Sequence, residues 1–234
     1  MLFELRVLGL TFSGYYIMMA VGFLLMIALM LIKRKCYGLT VLKALLFTLC
    51  VMVAGVSGCR ILYILENISQ IIQYGIFERG FSFFGAVFLV PLIIIPVGKL
   101  FGLTIGKSTD AAAICVCAMV GTIRIGCFFS GCCGGKTMAS GFQWPTQIME
   151  SIGDYLILSW LLYCGKQEKP GLYLRFMICY GCLRFIIEFF RSSSEGTILD
   201  IAHFLALLSI GIGASVLLTI NEQKGLHKEV EKRK

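Results

Sequence analysis

Three pieces between Thr122 and Arg191 decide the fold of this chain: TIRIGCFFSGCCGG at 122–135, WPTQIMES at 144–151 and YGCLRFIIEFFR at 180–191. Each sets ionisable residues into sequence hydrophobic enough to cross a bilayer. Charge at membrane depth is costly, so such residues line a cavity or pair with one another. In the last piece Tyr180, Arg184, Glu188 and Arg191 fall on one helical stripe. Taken alone, that stripe fits an ion-paired lock between two helices as well as a site.

The rest of the chain supports membrane residence. Of 234 residues, 58% are hydrophobic and 15% charged, and the mean hydropathy is +0.88. This is the composition of an all-α integral membrane protein, not of a soluble domain. It has room for about seven transmembrane helices of roughly 20 residues. Residues 1–220 form one polytopic domain, and 221–234 a basic cytoplasmic tail. The opening MLFELRVLGLTF has no basic run before an apolar core, so the first apolar segment is expected to be retained.

The spacing predicts helices over 15–32, 41–58, 81–97, from near Asp110 into the first piece, 145–164, 171–190 and 198–220. Residues 59–80, with Arg60, Glu66, Glu78 and Arg79, suit a short amphipathic helix at an interface. Pro91 and Pro96 are expected to kink the third helix or end it early.

Orientation follows from the basic residues. With the amino terminus outside and the tail in the cytoplasm, internal segments hold Lys33, Arg34, Lys35, Lys43, Lys99, Lys107, Lys166, Lys169, Lys224, Lys228, Lys232, Arg233 and Lys234. That is 13 of the 21 basic residues, the bias of a plasma membrane protein. The net charge of +8 thus needs no nucleic-acid partner, and no P-loop or dinucleotide fingerprint is present. The same threading puts Tyr15, Arg60, Phe84, Arg124, Cys127, Gln147, Glu150, Tyr180, Arg184, Glu188, Arg191 and His203 near the external ends. Polar groups from many helices meet at one depth, as a cavity on the outer leaflet requires. Guanidinium forks there match phosphate oxygens, and outer-leaflet phosphate usually means a lipid headgroup. A lipid-using enzyme, a phospholipid transporter, a lipid-gated channel and a non-catalytic lipid-binding protein all fit this arrangement.

At these residues the chain resembles the prolipoprotein diacylglyceryl transferases. Arg124, Ile125 and Gly126 resemble the family's G-R-I-G-N signature. Pro145, Thr146, Gln147 and Glu150 match H-P-(S/T)-Q-L-Y-E, and Tyr180, Gly181, Arg184, Phe185, Glu188 and Arg191 match Y-G-x-x-R-F-x-x-E-x-x-R. SGYYIMMAVGF at 13–23 is similar to the first helix, with Tyr15 on its tyrosine, and FSFFGA at 81–86 resembles S-F-H-G-G. The departures are Phe84 for that histidine, Cys127 for the signature asparagine, Ser130 and Cys132 for a later asparagine and acid, and Trp144 for the histidine before proline.

The resemblance implies a seven-helix enzyme of the bacterial plasma membrane with an external amino terminus. It implies transfer of diacylglycerol from phosphatidylglycerol to a lipobox cysteine thiol of a prolipoprotein, or to another thiol acceptor. Arg124 and Arg184 are the candidates to meet charge on the leaving phosphate, with Glu150 and Glu188 as their acidic partners. Glu150 is the candidate proton acceptor, while Glu188 is more simply tied to Arg184 one turn away. Tyr15, Arg60, Cys127, Gln147, Tyr180, Arg191 and His203 are the candidate substrate contacts. No cofactor and no metal is called for.

Two features stay open at this level. Cys127, Cys132 and Cys133 read as packing at a tight glycine turn, or as partners in a disulfide, with Cys59 a candidate fourth member. A metal site is least favoured, because no second Cys or His pair follows at zinc spacing. His203 is the one histidine at the depth of the arginines, and Phe84 leaves the usual base position without a base. It is therefore a candidate to take the thiol proton. The plainer reading is an interfacial histidine bonded to Asp200 or a nearby carbonyl, with Glu150 as the rival base.

The threading is checked with a single cysteine. Lys136→Cys, in a variant whose eleven native cysteines are replaced by serine, should react with a membrane-impermeant maleimide on intact cells. Labelling only after permeabilisation would overturn the orientation.

Overall fold

The computed structural model describes residues 4–7, 10–74, 80–191 and 200–232. A short antiparallel hairpin, β1 (Glu4–Val7) and β2 (Leu10–Ser13), opens the chain. Among the described residues eight helices follow: α1 (Gly14–Tyr37), α2 (Val41–Glu66), α3 (Ile68–Tyr74), α4 (Phe84–Leu100), α5 (Ile105–Ser130), α6 (Thr146–Lys166), α7 (Leu172–Glu188) and α8 (Ile201–Lys232). Apart from the hairpin, the named elements are all helical. Four segments, Gly14–Tyr37, Val41–Glu66, Ile105–Ser130 and Ile201–Gln223, are long and apolar enough to cross a bilayer.

Helix α5 is the axis of the bundle and packs against α1, α2, α4, α6 and α7. Its sequence explains why. Ala111, Ala112, Ala113, Cys115, Cys117 and Ala118 are all fully buried, and small side chains let neighbouring backbones approach closely. The outer helices instead turn large apolar residues outward, among them Leu24, Leu42, Leu156, Ile186 and Leu218. Such faces suit lipid.

Local chemistry sets the helix ends. Ser13, Thr40 and Thr104 cap α1, α2 and α5, each side chain accepting from a backbone N–H of the first turn. Helix α7 lacks a side-chain cap of its own. Asp110 of α5 supplies one from across the bundle, its Oδ1 accepting from Leu172 N at 2.7 Å.

Several boundaries differ from the sequence expectation. Helix α2 does not stop at Gly58 but continues to Glu66. Gly58 survives inside it because α4 needs the space: a Cβ there would stand 2.6 Å from Gly85 O. The expected amphipathic helix shrinks to α3, and Glu78 and Arg79 lie outside the described residues. Helix α8 begins at Ile201, and Ile198 lies outside the described residues. It runs on past Ile220 through the basic segment, which contains no proline to stop it.

The prolines do not end α4. Both Pro91 and Pro96 lie inside it. A helical proline leaves the carbonyl four residues back without its N–H partner, which for Pro91 is Val87 O. Tyr173 of α7 fills that gap. Its hydroxyl donates to Val87 O at 3.1 Å and Ala86 O at 3.2 Å, within a fully apolar layer.

That substitution of a phenol for a backbone donor is testable as a cycle. Tyr173→Phe should cost about 1–3 kcal/mol, the range for leaving a buried acceptor unsatisfied. In a Pro91→Ala background, where the backbone N–H returns, the same change should cost much less. Equal Tm losses in the two backgrounds would refute the account.

Candidate active site

The site forms where α5 ends, α6 begins and α7 ends. Thr146 opens α6, so Gln147 and Glu150 fall in its first turns. Arg124 and Cys127 sit in the last two turns of α5, which Gly131 closes in the left-handed conformation at φ 69°. Tyr180, Arg184 and Glu188 stack along α7, and Arg191 follows.

Glu150 is the centre. It is 2% exposed. Arg124 Nη2 reaches its Oε1 at 2.8 Å, and Arg184 Nη1 reaches its Oε2 at 3.3 Å. Tyr180 donates its hydroxyl to Oε1 at 3.4 Å. Arg184 turns its other terminal nitrogen to Glu188 Oε2 at 2.8 Å, and Arg191 Nε lies 4.0 Å from Glu188 Oε1. Three guanidiniums and two carboxylates thus form one chain of contacts with an excess of one positive charge. Arg124 Nε is buried and has no partner among the described residues. Phe83 and Phe84 pack edge-on against the Tyr180 ring at 5.0 and 5.8 Å. The apolar Phe84 ring therefore forms part of the wall behind the network.

The loop after α5 lies beside this network. The Sγ atoms of Cys127, Cys132 and Cys133 lie within 4.8 Å of one another. Cys133 takes φ 60°, a region that costs an L residue energy unless its surroundings fix it. Here they do. Thr146 Oγ1 donates to Cys133 O at 3.1 Å, and Gln147 Nε2 donates to Cys132 O at 2.7 Å. Gly135 and Lys136 bond to Trp144 and Phe190 backbone carbonyls, and the Trp144 ring packs on Phe190 at 5.0 Å. The loop is thereby tied to the end of α7. The Cys133 thiol is pulled down to about 5, first by a hydrogen bond from Cys127 and then by the charges of Arg124 and Arg191.

The structure brings together six sequence-predicted residues in direct contact: Arg124, Glu150, Tyr180, Arg184, Glu188 and Arg191. Cys127 and Gln147 adjoin them through the cysteine loop. Tyr15 joins from α1, where its backbone lies against Gly126. Two candidates make their contacts elsewhere. Arg60 donates to Gly80 O at 2.8 Å and faces the Tyr63 and Phe81 rings. His203 accepts from Asp200 N on Nδ1 at 3.1 Å and sits against Phe185 and Phe189. The disulfide expectation fails, because all eleven cysteines, Cys59 included, are free.

One buried acid was missed. Asp154, one turn deeper on α6, is fully buried, and neither carboxylate oxygen has a partner among the described residues. Its spacing of four from Glu150 puts both acids on one helix face, a signal present in the sequence.

Sequence comparison finds relatives over nearly the whole chain. The family model described as prolipoprotein diacylglyceryl transferase matches residues 2–219. A phosphatidylglycerol–prolipoprotein diacylglyceryl transferase of Clostridium tetani is 31% identical over 92% of this chain and 95% of its own. A second such enzyme, from Clostridium perfringens, is 27% identical over 97% and 98%. One from Finegoldia magna is 37% identical over 38% of this chain and 36% of its own. With the arginine–glutamate network on the matched stretches and the match spanning nearly its whole length, the chain belongs to the prolipoprotein diacylglyceryl transferase family.

Proposed function

We propose that the protein transfers the diacylglyceryl group of phosphatidylglycerol to the cysteine thiol of a prolipoprotein lipobox, at the outer leaflet of the bacterial plasma membrane. The observation that carries this reading is the buried network of three arginines around Glu150 and Glu188, with its excess positive charge. A phosphodiester carries one negative charge, so its arrival neutralises the cluster. Seven crossings with the amino terminus outside place that cluster in the outer leaflet, in keeping with the basic-residue bias.

The reaction is displacement at the glycerol carbon bonded to phosphate. The acceptor sulfur forms a C–S bond, the C–O bond breaks, and its electron pair leaves on the phosphate oxygen of glycerol phosphate. Arg124 has spare donors for that oxygen, since its Nε is unpartnered among the described residues. Arg184 is oriented by carboxylates on both terminal nitrogens, so it meets developing charge without reorganising. Glu150 acts as the positioning residue for both. Each of its oxygens already holds a guanidinium, and accepting a proton would break one of those contacts. Tyr180 steadies the same carboxylate, and Gln147 holds the loop beside it. His203 spends Nδ1 on the start of α8, which is the role of a helix-end residue.

Substitutions separate these roles. Arg184→Lys keeps the charge but loses the planar fork, so it should lower kcat by about 10²–10³, the range for removing one preorganised donor. Arg191→Ala, at the water-facing end of the stripe, should cost about tenfold or less by the same scale. His203→Gln should leave the rate near that of the parent. The assay is release of glycerol phosphate by purified protein given phosphatidylglycerol and a lipobox peptide. Parental turnover by Arg184→Lys would refute the phosphate role.

A further inference from the structure

An alkyl transfer to sulfur needs a thiolate, and a free thiol with a pKa of about 8.5 is mostly protonated at neutral pH. The arginine network itself offers no idle base, and the unpartnered acid Asp154 is fully buried one turn deeper on α6. Glu150 is engaged on both oxygens, Glu188 bonds to Arg184, and Phe84 is apolar. What does stand beside the network is the triad of Cys127, Cys132 and Cys133, whose sulfurs converge within 4.8 Å.

We propose that these three cysteines bind a thiophilic divalent cation of the zinc type, whose fourth position takes the acceptor thiol. The proposal rests on the transferase reading above and names how that site activates its nucleophile. Tetrahedral zinc with Zn–S bonds of about 2.3 Å separates its sulfurs by about 3.8 Å. Side-chain rotation of roughly an ångström closes the triad to that spacing. The backbone is already set for it. Cys133 is held at φ 60°, its carbonyl bonded by Thr146 and that of Cys132 by Gln147. Partners that orient ligands in this way are a regular part of metal sites. Cys127 is buried while Cys132 and Cys133 are exposed, so the side left open faces outward, where a peptide enters. Three protein ligands and one vacant position are the pattern of catalytic rather than structural zinc.

The step is redox-neutral. The acceptor thiol coordinates the cation and gives its proton to solvent, since a coordinated thiol is deprotonated outright. Its sulfur then forms the C–S bond as the C–O bond to phosphate breaks. The product thioether carries no negative charge, binds the cation weakly and leaves.

The full chain, purified in detergent with reductant and stripped with chelator, is titrated with Co²⁺. About one ion per chain should bind, with thiolate-to-metal charge-transfer bands and visible bands of tetrahedral cobalt, displaced by Zn²⁺. Cys127→Ser and Cys133→Ser should lose those bands, whereas Cys36→Ser and Cys179→Ser should keep them. A lipobox peptide should shift the visible bands, and its Cys→Ser analogue should not. Stripping should slow transfer by at least about tenfold, and Zn²⁺ should restore it. Full transfer after stripping with no cobalt bands would overturn the metal site and leave the transferase reading standing. So would a disulfide among the three in protein purified anaerobically. Bands that ignore the peptide would overturn the substrate-binding role. Cobalt bands that respond to the peptide in a protein that transfers in no metal state would sustain the metal site and overturn the transferase reading.

Discussion

A carboxylate buried between two guanidiniums sets the geometry of the whole outer end of the bundle. Glu150 is on α6, Arg124 on α5 and Arg184 on α7, and all three are buried. Removing Glu150 would leave two buried guanidiniums without their shared carboxylate, a penalty of about 3–5 kcal/mol in buried pairs. The three helices therefore cannot slide along one another without breaking the network. Its contacts fix depth as well as distance, since each charge must meet the others at one level. Tyr180 below and Arg191 above extend that level into a column.

The packing that permits this column comes from small residues. The run of buried alanines and cysteines in α5 brings five helices close enough for side chains of ordinary length to meet. Gly58 on α2 and Gly85 on α4 do the same at the neighbouring contact, where a Cβ on either would collide with the backbone of the other. Tyr173 then reaches from α7 to the α4 carbonyl that Pro91 frees. Apolar packing and polar satisfaction serve one end. Both hold α7, which carries three of the six networked residues with Arg191 just past its end, against the centre.

Much of this was legible in the residues. The stripe Tyr180, Arg184, Glu188 and Arg191 needed only helical spacing, and the Arg184–Glu188 pair forms as spacing implies. Charge in apolar sequence marked Arg124 and Glu150, yet not their mutual contact, because spacing within one helix says nothing of a neighbour's rotation. Glu150 consequently stood both as an acidic partner of the arginines and as a candidate proton acceptor, and the structure shows it shared by two arginines. The continuation of α2 through Glu66 was hidden because Gly58 resembles a break until Gly85 is known to lie against it. Pro91 misled for the same reason, its rescue coming from a tyrosine 82 positions away in sequence. The cysteine triad was visible as composition only. Its convergence depends on a left-handed Cys133, a conformation that the sequence CCGG permits but does not demand.

The retention of so many buried charges is itself informative. A buried ion network is weak evidence for stability, since apolar residues of like volume often serve as well or better. Five charges in the dry end of a bundle thus call for a reason other than holding helices together. The odd count supplies it. Two carboxylates suffice to orient three guanidiniums, but they leave one charge over and Arg124 Nε without a partner among the described residues. Such a cluster is least satisfied when empty and most satisfied around a single anion. For a displacement at phosphate-bearing carbon, negative charge grows on the departing oxygens as the bond breaks. The same surplus that admits the phosphodiester then binds the leaving group more tightly still.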